Sequence, residues 1–460
     1  MNVDRFCRSS SACAASGAGV ALALALAGCA TTADQRRALR VDADDAYFIA
    51  ASLVTEVGPR FAGTPGDARA VQWGVAKMKE LGFANVHTEP VTVPRWDRGG
   101  LTVEMRKPQV RALEAAALGG SVATPAGGVE AEVLAVPNVD ALQALPDARV
   151  KGRIVFYTER MQRARDGAGY GKTVPIRRTG PAAAARKGAV AVLIRSVGTD
   201  PQGRAHTGTT KYEAGVPKIA AAALAGAAAD ALEQAVARGK VRVRIALTSR
   251  DAGEMPSANV VGEIPGETDR IILLGAHLDS WDITPGANDD AAGIGIVMAA
   301  AKRIAAFGTP RCTIRVVLFA NEEFGVGGGK GYAAAHAADV GKHLLVMEAD
   351  SGSGAPWRLH GGVADADWPW VAQLATDLGL VAGENGKDGG TDVAPTRKLG
   401  VPEIEVTQDA SHYFDVHHTM ADTVEALDRS GISQATGVFA VIVHAVSERE
   451  QPLGRIPPKP

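Results

Sequence analysis

The pattern of apolar and polar positions divides the chain into two regimes. From about residue 258 onward, apolar runs at Ile271–Leu274, Ile314–Phe319, Leu344–Met347 and Ile404–Val406 lack strict alternation, as strands covered on both faces should. Between them, Asp290–Phe307 carries Ile294, Val297, Met298, Ala301 and Ile304 at helical spacing, and Ser430–Ser447 reads as a closing helix. This βαβα succession predicts an α/β fold with a mostly parallel, partly mixed sheet sandwiched between helices. Upstream, Asp44–Val57 and Asp67–Leu81 read as amphipathic helices, the second stopped by Gly82. Val86–Val93 reads as a strand that Pro94 closes.

The second regime lies between about residues 108 and 252. Short β-rich pieces at Glu132–Val136, Arg153–Tyr157, Val190–Ile194 and Val241–Leu247 alternate with alanine-rich stretches, and composition alone makes Lys218–Arg238 one helix. No cluster of ligand-type side chains falls here, which predicts an accessory domain set into the main fold. The expected division is a leader over 1–29, the first part of the main domain over 30–107, the insertion over 108–252, the main part over 253–450, and an unstructured Pro-rich tail over 451–460.

Composition acts by exclusion. With 460 residues, 46% of them hydrophobic and 22% charged, the chain can bury more than one core. A formal net charge of -2, from 49 basic and 51 acidic residues, gives no field for nucleic acid or an anionic membrane. Basic residues do crowd Arg160, Arg163, Arg165, Arg177, Arg178, Arg186 and Lys187, and the expected reading is a solvated face, a loop that gates an acidic substrate being the alternative. At the amino terminus, Arg5 and Arg8 precede the apolar stretch Ala18–Ala27 and then Leu26-Ala27-Gly28-Cys29, which resembles a bacterial lipobox. The stretch is shorter than the ~20 residues a spanning helix needs. The expected product is a cell-envelope lipoprotein lipidated at Cys29, on the periplasmic side of an outer membrane; a secreted protein is the alternative. Cys7 and Cys13 then leave with the leader, so Cys312 remains alone as a core residue without a disulfide partner.

Candidate chemistry gathers where apolar runs end. IILLGA precedes His277, RVVLFA precedes Asn321-Glu322-Glu323, and HLLVM precedes Glu348-Ala349-Asp350. Open α/β sheets build sites outside the carboxyl ends of their strands. Two histidines, His277 and His418, with Asp289, Glu322, Glu323 and Asp350 and no cysteine form a ligand set for zinc or a similar divalent ion. The sequence therefore points to a metal-dependent hydrolase. Asp279 lies two residues beyond His277 on an extended segment and can accept a hydrogen bond from its second ring nitrogen. Of the neighbours Asp289 and Asp290, one can cap the following helix while the other faces a metal. Glu322 and Glu323 raise each other's pKa unless a cation compensates.

The motifs HLDSWD, GANDDAAG, NEE, MEADSG, GGTD and YFDVHHTMADT closely resemble those of the co-catalytic di-zinc aminopeptidase family, in its plasma glutamate carboxypeptidase (carboxypeptidase Q) branch, over nearly the whole mature chain. The resemblance implies a zinc-peptidase, phosphorylase/hydrolase-like fold with a protease-associated insertion, and two zinc ions. His277 and Asp350 would hold one ion, Glu323 and His418 the other, with Asp289 bridging and Glu322 as general base. His417 competes with His418; the family pattern favours the histidine before Thr419. The resemblance also implies a strand near Val216–Leu224 followed by a helix, and a His206-Thr207-Gly208 loop approaching the cleft. The substrate expected is a short peptide with a free α-amine, which acidic residues such as Glu348 and Asp392 would complement. A glutaminyl cyclase-like single-zinc enzyme and a non-catalytic surface binding module are the alternatives. The intact bridging Asp289 argues against the first, and the spare Glu322 against the second. Whether two copies pair as a homodimer stays open.

Overall fold

Helix starts follow local chemistry. The side chain of Thr64 accepts the Asp67 N–H and Pro65 occupies the first helical position, so helix α2 spans Pro65–Glu80 and begins two residues before the apolar spacing shows. Helix α1 spans Asp45–Glu56. The structure is a computed structural model that describes Leu39, residues 43–387 and residues 389–458. The leader, Cys29 and the end of the tail lie outside the described residues.

Eight strands form the sheet that carries the site. They are β1 (Ala84–Asp97), β2 (Arg250–Ile264), β3 (Thr268–His277), β4 (Cys312–Phe319), β5 (His343–Glu348), β6 (Pro356–Gly362), β7 (Val381–Asn385) and β8 (Glu403–Gln408). Their spatial order is β1-β2-β4-β3-β5-β8-β6-β7. The central strands β4, β3, β5 and β8 pair in parallel, whereas β1 with β2, β2 with β4 and β8 with β6 are antiparallel. The sheet is thus mixed, with parallel pairing through its middle and again between β6 and β7 at one edge. Ile272 and Leu274 of β3 join the larger core and Leu273 a smaller one on the opposite face, which is why the run shows no alternation. Helix α3 (Ala292–Phe307) is buried without a break from Ala292 to Ala301. Gly295 lets it close on α1, since an added Cβ would lie 2.2 Å from the Ala46 carbonyl oxygen. Helix α4 (Arg429–Ser447) is long and apolar enough to cross a bilayer, but it is a core helix, 78% of its apolar window being buried.

Strand β1 does not stop at Pro94. It continues to Asp97 because it is an edge strand, where a proline forfeits no ladder bond that a second neighbour would need. The chain then leaves this sheet and returns at Arg250, and the intervening segment builds a second eight-stranded sheet. The expected boundary at 108 falls inside that sheet, because Leu101–Lys107 pairs with Arg242–Leu247. Lys218–Arg238 is not one helix: Ala220–Leu224 is a strand and Gly226–Arg238 the helix. Strand Ala220–Leu224 lies between Ala191–Arg195 and Ala115–Ala117, completely buried. Two ladders outweigh alanine's helix preference of a few tenths of a kcal/mol per residue. Residues 451–458 form no helix or strand, yet Leu453 and Ile456 are buried and the Ile456 N–H donates to the Gly400 carbonyl. This part of the tail packs on the fold because its two apolar residues can be covered there.

Candidate active site

Adjacent parallel strands β4, β3 and β5 end at one edge and deliver the site. His277 is the last residue of β3, Glu322 and Glu323 follow β4, and Asp350 follows β5. Asn321 adopts φ +62, a left-handed turn that asparagine tolerates, just before the two glutamates. The Glu322 N–H donates to Asp279 Oδ1 at 2.9 Å, whereas Glu323 Oε2 lies 2.9 Å from His418 Nε2.

Asp289 and Asp290 have divided roles. Asp290 Oδ2 accepts the His277 N–H at 3.0 Å and its Oδ1 accepts the Gly293 N–H at 3.1 Å, so both oxygens serve the backbone. Asp289 Oδ1 lies 3.0 Å from His277 Nε2, and its Oδ2 lies 3.3 Å from His418 Nε2. One carboxylate thus spans two histidines from separate segments of the chain. Asp350 Oδ1 is 3.7 Å from His277 Nε2. Nδ1 of His277 is nearer the Asp279 carbonyl oxygen, at 3.0 Å, than the Asp279 carboxylate at 3.7 Å, so the main chain is its nearer partner. Among the described residues, two groups could hold a metal ion: Asp289, His417 and His418, and His277, Asp290 and Asp350. His417 stacks on His418 with ring centroids 3.6 Å apart, and its Nε2 is 3.6 Å from Asp289 Oδ2. His418 holds the shorter contacts, to Glu323 as well as Asp289.

The electrostatics are those of carboxylates crowded out of water. Burial pushes the Glu322 carboxyl well above its usual range, with Asp350, Glu323 and Asp289 adding to the rise. Burial likewise raises Glu323 to about 7. Burial disfavours the His277 imidazolium, but hydrogen bonds to its acidic neighbours outweigh it and raise the ring's pKa well above normal. Glu323 Oε1 and Asp279 Oδ2 are buried with no hydrogen-bond partner among the described residues. A cation between these groups would satisfy both charge and donor set.

Several supporting residues carried no periodic signal. Arg60 is completely buried and donates from Nε to the Leu278 carbonyl (2.6 Å), from Nη2 to Gly286 (2.9 Å) and from Nη1 to Pro285. It therefore ties the His277 loop to the Asp289 loop. Asp422 accepts the N–H groups of Asn288 and Asp289 at 2.8 and 3.1 Å; it was legible only as part of the YFDVHHTMADT motif. Glu348 and Asp392 lie behind the wall and do not complement a ligand: Glu348 Oε2 accepts the N–H groups of Asp392 and Val393, and Asp392 has no exposure. The basic crowd is also divided. Arg163 pairs with Asp415 and Arg165 with Asp409, but Arg177 and Arg178 line the cavity. That cavity, of about 660 Å³, is shared by Asp289, Glu322, Glu323, Asp350 and His418 and is lined on another side by the intervening segment. Thr209 Oγ1 donates to the Glu323 carbonyl at 2.6 Å, and the Thr207 N–H to that of His418 at 3.1 Å, so the loop at His206 does reach the site.

Parallel strand ends that bring buried histidines and carboxylates to one cavity make this molecule a metal-dependent hydrolase of the α/β class. The profile of peptidase family M28 matches residues 259–443. Carboxypeptidase Q of Mus musculus is 35% identical over 411 residues, covering 88% of this chain and 86% of that protein. The crystal structure of a peptidase M28 precursor from Shewanella amazonensis SB2B superposes with a TM-score of 0.89 at 42% identity, covering 93% of this chain and 98% of that one. A zinc aminopeptidase from Bacillus subtilis shares the fold, with a TM-score of 0.63 at 20% identity over 90% of this chain and 98% of that one. The chain belongs to peptidase family M28, alongside carboxypeptidase Q, and is a metallopeptidase.

Proposed function

We propose that this protein is a zinc-dependent exopeptidase that hydrolyses short peptides, dipeptides above all, with a free α-amine. The observation that carries this reading is the Asp289 carboxylate, whose two oxygens face His277 and His418 at 3.0 and 3.3 Å. Two zinc ions would be held there by His277 and Asp350, by Glu323 and His418, and by Asp289, which faces both histidines. Bound there, they would lower the pKa of the attacking water and polarise the scissile carbonyl. Glu322 takes the proton from that water on its carboxylate and passes it to the nitrogen of the leaving amine; a carboxyl raised by burial suits that exchange. Asp279 holds His277 in orientation and the Glu322 main chain in place. Asp350 and Glu323 in the cavity lining offer negative charge to the substrate's ammonium group.

The intervening segment acts in this reading as a protease-associated domain that narrows the cleft, and the Leu26–Cys29 lipobox anchors the mature chain to the cell envelope. The test compares a free dipeptide, its N-acetyl form and a long unstructured protein on zinc-loaded enzyme. The free dipeptide should be favoured by on the order of ~10⁴ in kcat/KM, because blocking the amine leaves the site's buried charges unpaired. Comparable rates for blocked and free dipeptide, or efficient internal cleavage of the protein, would overturn the exopeptidase assignment. Metal content should approach two ions per chain under zinc saturation, and a ceiling of one would instead favour the cyclase-like alternative.

A further inference from the structure

The chemistry above leaves a buried cation unused. Arg177 sits in the short helix Pro175–Arg178 of the intervening segment and is 5% exposed. Its guanidinium donates to the Tyr170 hydroxyl at 2.6 Å and to the Thr207 carbonyl at 3.4 Å, and Nη1 lies 3.4 Å from His418 Nδ1. Its Nε has no partner among the described residues, although the side chain lines the cavity. Among the described residues its hydrogen-bond partners are two neutral oxygens and a histidine; none is a carboxylate. A guanidinium taken out of water without an anion is costly. Gly208, at φ +129, passes directly over it: an added Cβ would fall 2.4 Å from Arg177 Cζ.

Two further cations stand beside it. Arg178 and Lys211 line the same cavity, are exposed into it, and form no ion pair among the described residues. Their main chains are joined by the Lys211 N–H to the Arg178 carbonyl at 2.7 Å. Partial burial, then repulsion from Arg178 and Lys330, lowers the Lys211 pKa. The cavity therefore has an acidic floor of Asp289, Glu322, Glu323 and Asp350 and a cationic wall facing it.

We propose that Arg177, Arg178 and Lys211 are specificity-determining residues: they seat a carboxylate carried by the residue on the leaving side of the scissile bond. The proposal rests on the exopeptidase reading. With the substrate amine at the acidic floor, the other end of a short peptide reaches the intervening segment, and a guanidinium matches a carboxylate with two parallel donors. The carboxylate is either the α-carboxylate of a dipeptide or the side chain of an acidic residue, and the same wall serves both.

The test measures kcat/KM of the zinc-loaded full chain on Ala-Ala, on Ala-Ala amide and on Ala-Glu amide, whose only carboxylate is the side chain. Wild type should prefer Ala-Ala to its amide by ~10-fold or more, because the neutral amide leaves the wall unpaired. Arg177→Gln should shrink that ratio to about twofold, chiefly through KM for the acid. The double variant Arg178→Gln/Lys211→Gln, on exposed side chains, should lower it in the same direction. Ala-Glu amide tracking Ala-Ala would show that a side-chain carboxylate suffices, and tracking the neutral amide would show that the α-carboxylate is read. Equal rates on acid and amide in the wild type, or an undiminished ratio in the folded double variant, would overturn the proposal. No turnover of any free dipeptide by the wild type would instead overturn the exopeptidase reading on which it rests.

Discussion

Asp289 and Asp290 are neighbours of identical chemistry whose surroundings give them different work. Asp290 is consumed by the N–H groups of His277 and Gly293, and Asp289 is left facing two histidines. The same division separates Glu322 from Glu323, and it can be measured. Glu322→Gln should lower kcat by at least ~100-fold with metal content unchanged, since only a proton relay is lost, whereas Glu323→Gln should lose metal as well as activity, as metal analysis beside steady-state kinetics will reveal. The pairing of acids was legible in the sequence; which member of each pair did which task rested on the resemblance. Glycine supplies a second residue-scale case. An alanine at Gly293 would put Cβ 1.8 Å from the Ala349 carbonyl oxygen, one residue before Asp350. Gly293→Ala should therefore destabilise the fold by about 3 kcal/mol in urea unfolding and impair activity together.

At the scale of elements, the runs that ended in ligands gave the most readable part of the fold. β3, β4, β5, β8, α3 and α4 lie where spacing and apolar character place them, because each is buried on more than one side and its pattern is dense. Elements whose character comes from neighbours were harder. β1 crosses two prolines because it has a partner on one side only, and the alanines of Ala220–Leu224 are a strand because strands flank them on both sides. The Arg60 clamp belongs to this scale too, since it joins the loop after β3 to the loop before α3. Arg60→Met removes the donors for the Leu278, Pro285 and Gly286 carbonyls. It should cost more than ~3 kcal/mol and weaken metal retention, whereas Arg60→Lys, which keeps the charge but not the fork, should recover only part of the loss.

Across the whole molecule, the two sheets meet at the site, where the aromatic cluster of Phe61, Trp281 and Phe324 joins them: Trp281 stacks on Phe61 at 5.1 Å, and Gly119 of the intervening segment leaves room for its ring. Acid should loosen this junction. Burial lowers the His206 pKa to about 3 against an ordinary value of 6.5. The unfolded chain then binds the extra proton first, so the contribution of neutral His206 is intact above pH 6.5 and declines as pH falls toward 3, by up to ~1.4 kcal/mol per pH unit. Urea midpoints between pH 7 and 5 should fall more steeply for the wild type than for His206→Gln. Anchoring is a separate whole-molecule matter: Cys29→Ser should release the protein from the membrane fraction or block its maturation, while an unlipidated native amino terminus in mass spectrometry would leave only a secretory leader. The sequence by itself determined the βαβα order and the strand ends that carry the candidate ligands, because those follow from local spacing. Tertiary structure alone decided which strands of the sheet run antiparallel, that Glu348 and Asp392 sit behind the site, and that Arg177 and Arg178 turn from an expected solvated face into the cavity. The physical reason is that burial and charge pairing depend on residues hundreds of positions away, as Arg177 beside His418 and Arg60 beside Gly286 both show.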